Sequence, residues 1–169
     1  MDFIEKTLGK TKSSTKIIGA CGMWRSGSTA QYNMIRLVVE HSEIDAKVIK
    51  WHVADKRLWD RADFVFTSER HIGEVMESLE RFGRLSGRKR NPNYIMKQIR
   101  YWKSHPRNTH QDFERIKTDS KGCIKQIAEV LGVQIDLDKV YEEFKAIKPP
   151  KDKWCPVTLM FPNHITKED

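Results

Sequence analysis

The stretch from Lys16 to His41 constrains this chain more than any other. Its first six residues, KIIGAC, form a short apolar run that ends against a glycine, the pattern of a buried strand. Gly22 to Ser28, GMWRSGS, has the glycines and small polar residues of a tight loop. From Thr29 to about His41, residues Met34, Leu37, Val38 and His41 recur near one face of a helix. A strand that feeds a helix through a short glycine loop must pack that helix back onto a sheet. The rest of the chain shows what kind of sheet.

AKVIKWHV, Ala46 to Val53, predicts a second strand, and a short polar, helical link follows it. DFVFTS, Asp63 to Ser68, predicts a third strand. From His71 to about Arg84 the apolar residues Ile72, Val75, Met76, Leu79 and Phe82 keep helical spacing. Pro92 opens another helix to about Ser104, with Ile95, Ile99 and Trp102 opposite Lys97, Arg100 and Lys103. Two more helices fit Gln111 to Leu131, broken near Thr118–Asp119, and Leu137 to Ala146. The stretch from Lys148 onward, KPPKDKWCPVTLMFPNHITKED, is irregular and rich in proline. The alternation predicts an α/β fold: a short parallel sheet flanked by helices in three layers, P-loop NTPase-like, with a helical C-terminal half. Residues 1–15 read as a flexible polar lead-in, and 16–169 as a single domain. Ligands of such sheets sit beyond the carboxyl ends of the strands. That rule selects the loop after Cys21 and the ends of VIKWHV and FVFTSER.

Composition narrows the setting. No run approaches the roughly 18–20 apolar residues of a membrane span, and MDFIEKTLGKTKSSTK lacks the apolar centre of a signal peptide. Cys21, Cys123 and Cys155 are an odd number without metal-type spacing. The expectation is a cytoplasmic protein with free thiols and no metal. The net charge of +8 comes from one place. Arg84, Arg88, Lys89, Arg90, Lys97, Arg100, Lys103 and Arg107 have no acidic residue among them, and elsewhere 23 basic residues balance 23 acidic ones. A local anionic partner fits that distribution better than a generally basic surface.

Three constellations lie at the strand ends. GMWRSGST comes within one residue of the phosphate-binding pattern G-x-x-x-x-G-K-[ST]: Gly22, Gly27 and Thr29 match, and Ser28 stands where the lysine belongs. Arg25 can replace that charge, since a guanidinium holds two anionic oxygens and stays ionised. A glycine turn with a Ser/Thr helix cap explains the same residues without a ligand. In VIKWHV, Lys50 and His52 fall on one face of a strand, and His52 near its end suits a general base. A packed or surface histidine is the plainer alternative. In TSERHIGEVMES, Arg70 at the turn and Ser78 within the helix are eight residues apart. They can share a phosphate, or be a surface arginine and a boundary serine.

Taken together, the three pieces resemble the sulfotransferase family, whose donor is 3′-phosphoadenosine 5′-phosphosulfate (PAPS). Arg25-Ser26-Gly27-Ser28-Thr29 is similar to that family's [KR]-S-G-[ST]-T loop. Lys50-Trp51-His52 is similar to its lysine-x-histidine, and Arg70 with Ser78 to its arginine and serine eight residues apart. IKQIAEVLGV and VTLMFPNHIT look like the closing segments of small bacterial members, so the resemblance runs over about residues 16–166. It implies sulfuryl transfer from PAPS to a hydroxyl or amine on a small-molecule or carbohydrate acceptor. His52 would be the base, with Arg25 and Lys50 beside it in catalysis. Gly22, Arg25, Ser26, Gly27, Ser28 and Thr29 would bind the 5′-phosphosulfate. Arg70 and Ser78 would bind the 3′-phosphate, and neither metal nor membrane would be needed.

Two departures accompany the resemblance. Many members have lysine where Arg25 stands, and the sequence ends soon after Ile165 without an R-K-G-like segment to cap the 3′-phosphate. Weaker binding, a substitute in the basic stretch, and loss of activity are all compatible with that. The alternatives are a P-loop nucleotide kinase and a catalytically inactive nucleotide- or anion-binding module on the same frame. The basic stretch Arg84–Arg107, interleaved with Tyr94, Tyr101 and Trp102, reads as contacts for an anionic polymer, polysaccharide or nucleic acid, or as a solvated helix face.

Overall fold

A computed structural model describes residues 3–9 and 14–162. After helix α1 (Phe3–Leu8) the chain alternates strand and helix: β1 (Lys16–Ala20), α2 (Ser28–Glu40), β2 (Ala46–Lys50), α3 (Lys56–Arg61), β3 (Phe64–Glu69), α4 (Ile72–Arg81). A 3-10 turn (Gly87–Arg90) leads to α5 (Pro92–Lys103), β4 (Asn108–Asp112), α6 (Phe113–Thr118), α7 (Ser120–Leu131) and α8 (Leu137–Ala146). The four strands pair in parallel in the order β2-β1-β3-β4. The fold is therefore α/β with a parallel sheet between helical layers, consistent with a P-loop-like three-layer architecture.

Alternation along the central strands divides the apolar side chains between the two faces. Ile18, Ala20 and Phe66 pack with Met34 and Val38 of α2 and with Ile124 and Ile127 of α7. Ile17, Ile49 and Val65 pack on Leu58 of α3 and Trp102 of α5. A third cluster joins Met23 of the glycine loop to Val75 and Leu79 of α4 and to Ile95 and Ile99 of α5. Burying a side chain of this size contributes about 1.5–3 kcal/mol. Met23 therefore ties the loop to the two helices that follow β3.

Four elements differ from the sequence expectation. Ile4 and Leu8, expected in a flexible lead-in, are buried against Ile17, Ile49 and Trp102. Their i, i+4 spacing gives a short helix one apolar edge, which the lysines and threonines around it conceal. Positions 1, 2 and 10–13 of that lead-in, and 163–169 of the C-terminal stretch, lie outside the described residues. The second strand stops at Lys50, so His52 sits in the following loop and not on the strand face. The fourth strand, NTHQD, has no apolar run and was not expected. It is an edge strand joined to β3 by polar side chains: Thr67 Oγ1 donates to Asn108 Oδ1 at 2.9 Å and lies 3.0 Å from His110 Nδ1. Finally, α4 ends at Arg81, and Gly83 at φ 61° turns the chain so that Arg84 leaves the helix. The break expected within Gln111–Leu131 falls at Asp119, which caps α7 through the Gly122 N–H, but that stretch becomes helical only at Phe113, since Gln111 and Asp112 belong to β4. No helix among the described residues is long and apolar enough to cross a membrane.

Candidate functional site

Since β1 lies between β2 and β3, the chain winds to one side of β1 and then to the other. Such a reversal opens a crevice at the carboxyl ends of the two strands. The glycine loop fills the floor of that crevice. It continues the ladder to β3, with Cys21 N–H donating to Phe66 O and Met23 N–H to Ser68 O, both at 2.8 Å. A Cβ on Gly22 would overlap the Ser68 hydroxyl and reach 3.0 Å from Ser28 Cβ, so only glycine passes this close to β3. The Ser26 hydroxyl is fully buried, 2.7 Å from Met23 O and 2.8 Å from Ser68 Oγ. Its hydroxyl holds the loop to β3 from behind, where the sequence places it among the ligand contacts.

Two residues of the loop take left-handed backbone angles, Gly27 at φ 76° and Arg25 at φ 58°. Glycine adopts that region freely, whereas for arginine it costs about 1–2 kcal/mol. The turn sends the Arg25 guanidinium across to α4. Its Nε donates to Ser78 Oγ at 2.9 Å, and its carbon lies 4.2 Å from the centre of the Phe82 ring. Gly27 caps α2 without a side chain, and no acidic residue occupies the first turn. The positive end of the helix dipole is left uncompensated there.

A cavity of about 890 Å³ spans the crevice, and it brings together most of the residues singled out in the sequence. Arg25, Gly27, Ser28 and Thr29 line it from the loop and α2, Lys50 and His52 from the end of β2, and Arg70 and Ser78 from the end of β3. Arg70 and Ser78 do not meet each other directly. Arg70 donates to Glu74 at 2.7 Å and lies over the Phe113 ring at 4.3 Å, while Ser78 is held by Arg25. Arg84 completes the lining, its guanidinium 4.6 Å from the centre of the Phe161 ring. Trp154 and Leu159 to Phe161 form the opposite wall. That tail is anchored to α2 where Asn33 Nδ2 donates to Thr158 O at 2.9 Å. Arg84 as a wall residue and Trp24 beside His52 escape a sequence reading, although the first belongs to the basic stretch and the second to the loop.

The electrostatics are lopsided. The lining carries six cations, Arg25, Lys50, Arg70, Arg81, Arg84 and Lys117, against Glu74, Glu77 and Glu114. Burial, with Arg84 and Arg70 close by, lowers Arg25 to about 10. Burial, then Arg25 and Arg84, lowers Lys50 to about 8. Like charges depress one another in this way when no anion stands between them. The Lys50 ammonium donates to Thr29 Oγ1 at 2.5 Å, which brings a cation to the helix start that the loop lacks at Ser28.

His52 Nδ1 lies 2.6 Å from Gly22 O. A carbonyl only accepts, so Nδ1 carries the proton and Nε2 of the neutral ring keeps its lone pair. Burial, reinforced by Lys50 and Lys89 and opposed by the Gly22 carbonyl, holds the imidazole down to about 3. Between that value and the ordinary 6.5, the unfolded chain binds a proton at His52 and the folded chain does not. Stability therefore rises with pH through this window, by up to about 1.4 kcal/mol per pH unit from this residue. Urea unfolding of wild type and His52→Asn at pH 4.5 and 6.5 is expected to show the smaller acid loss in the variant. Equal losses would contradict a histidine held neutral by the fold.

The arrangement can do two things. It can neutralise separated negative charges along one wall, and it can accept a proton at His52 beside them. No protein-family model matches the chain, and the search of curated proteins returns no match either.

Proposed function

We propose that the chain is a sulfotransferase that moves a sulfuryl group from PAPS to a hydroxyl or amine acceptor. The observation that supports this reading is the convergence of Arg25, Lys50, Arg70 and Arg84 on one cavity with the unprotonated Nε2 of His52. PAPS carries negative charge at both ends of an adenosine, and the cations form two groups that suit it. Arg25, Lys50 and the start of α2 would hold the 5′ end, with Ser28 and Thr29 hydroxyls beside them. Arg70, Ser78 and Arg84 would hold the 3′-phosphate. Bound PAPS supplies the sulfuryl group: the acceptor oxygen or nitrogen bonds to sulfur as the bond to the 5′-phosphate breaks, and adenosine 3′,5′-bisphosphate leaves.

The residues of the chain contribute position and charge, which dominate transfers of this kind. Arg25 and Lys50 would balance charge that develops on the leaving phosphate. His52 would take the acceptor proton at Nε2 while its Nδ1–H stays fixed to the Gly22 carbonyl. A kinase fits less well. Magnesium would need a carboxylate at the end of β3, and Glu69 there pairs with Lys103 at 2.5 Å.

A second reading, a nucleotide-binding frame without transfer chemistry, draws on one observation. The residues expected at the 3′-phosphate are already engaged, Arg70 by Glu74 and Ser78 by Arg25. Calorimetric titration decides whether the cavity takes the nucleotide at all. Adenosine 3′,5′-bisphosphate is expected to bind at least about tenfold more tightly than adenosine 5′-monophosphate, the margin of one further charge-assisted contact. No heat at about 1 mM bisphosphate would reject both readings. Turnover of PAPS with an acceptor then separates them.

A further inference from the structure

The structure splits the basic stretch into parts with different neighbours. Lys103 pairs with Glu69 and Arg107 with Asp63, so these charges are spent within the fold. Lys97 and Arg100 stand on the outer face of α5, away from its buried stripe. Arg88 and Lys89, on the Gly87–Arg90 turn, come round to the side of the crevice where His52 lies. Lys89 Nζ is 5.6 Å from the centre of the Trp24 ring, and Trp24 stacks on His52 at 5.0 Å. Tyr94 continues the row, stacked on Trp24 at 6.3 Å with the Arg88 guanidinium 5.8 Å from its own ring centre. No carboxylate of the described residues pairs with either cation.

From these contacts we infer that the acceptor is itself an anion, a negatively charged carbohydrate whose charged groups meet Arg88 and Lys89 while a hydroxyl reaches His52. The inference rests on the transferase reading given above. Aromatic rings accept the flat apolar faces of sugars, and the two flanking cations select acidic ones from neutral ones. Entry from the other side is disfavoured. The hollow at the ends of β3 and β4 sets Glu69, Glu74, Asp112 and Glu114 against the single guanidinium of Arg70, so carboxylates outnumber cations there. Lys89 also adds to the charge that holds His52 neutral, and an anion on Lys89 removes that effect. The acceptor would then strengthen the base that receives its proton.

The test uses a heparin-derived hexasaccharide, neutral cellohexaose and a twelve-residue oligothymidylate as probes. Binding is followed by titration and by the His52 ring signals in NMR, for wild type and the Arg88→Ala/Lys89→Ala double variant. The hexasaccharide is expected to bind and to shift the His52 signals, cellohexaose to do neither, and the double variant to bind about tenfold more weakly with an unchanged melting temperature. Equal binding by the variant, or an unmoved His52 signal, overturns the inference. Tighter binding of the oligothymidylate also overturns it, and points to nucleic acid. Titration with adenosine bisphosphate runs separately. If that ligand fails while the hexasaccharide still shifts His52, the donor reading is lost and an anion site remains. If it binds while the hexasaccharide fails, only the acceptor class is lost.

Discussion

Replacing His52 with alanine is expected to lower turnover by about 10²- to 10⁴-fold, the range for loss of a general base. Affinity for adenosine 3′,5′-bisphosphate is expected to stay within a few fold of wild type. The two ring nitrogens have separate roles. Nδ1 is committed to the Gly22 carbonyl at 2.6 Å, so the variant loses both a loop contact and a proton acceptor. His52→Asn separates the two. Its amide nitrogen can take over the bond to Gly22, but nothing replaces Nε2. If both variants lose turnover with the nucleotide still bound, His52 acts as the base. Recovery in the asparagine variant would assign it to holding the loop instead. In the free protein the imidazole sits at about 3, too low for an efficient base at neutral pH. Two anionic groups bound beside Lys50 would raise it, so its NMR titration midpoint is expected to climb when adenosine bisphosphate is added.

Arg25→Gly is expected to separate binding from stability. The guanidinium occupies the cation-rich wall, and losing a charge-assisted contact there costs about 1.5–3 kcal/mol, roughly a 10- to 100-fold loss in bisphosphate affinity. In the free protein the terms oppose one another. The variant gives up the Ser78 hydrogen bond and the Phe82 contact. It gains relief from a left-handed arginine, about 1–2 kcal/mol, and from repulsion by Arg84 and Arg70. The melting temperature is therefore expected to stay near that of wild type while affinity collapses. A variant that melts far lower and binds as before would make Arg25 a structural residue and empty the proposal of its main cation. Arg25→Lys tests the geometry, since it keeps the charge and the backbone strain but loses the planar fork.

Much of this was legible in the chain because the signals are local. Apolar runs and 3.6-residue spacing place three of the four strands and most helices within a few residues. The loop at Gly22 to Thr29 announces itself through two glycines and a serine-threonine pair. NTHQD was silent because an edge strand can be held by Thr67, Asn108 and His110 in place of apolar burial. The helix at Phe3–Leu8 was silent because only Ile4 and Leu8 signal it, and their worth depends on a groove built by distant residues.

The candidate site divides along the same line. By itself the sequence determined the sheet's helical flanks, the strand ends at which Arg25, His52 and Arg70 stand, and the excess of positive charge. Those follow from periodicity and from residue type, which neighbours along the chain already express. Only the tertiary structure decided that Arg25 reaches Ser78, that Arg84 leaves its helix to join the cavity, and that Trp24 stacks on His52. The first and last depend on distant segments meeting at the crevice, and no pattern within either segment records the other; the second turns on the left-handed Gly83, whose direction shows only in three dimensions.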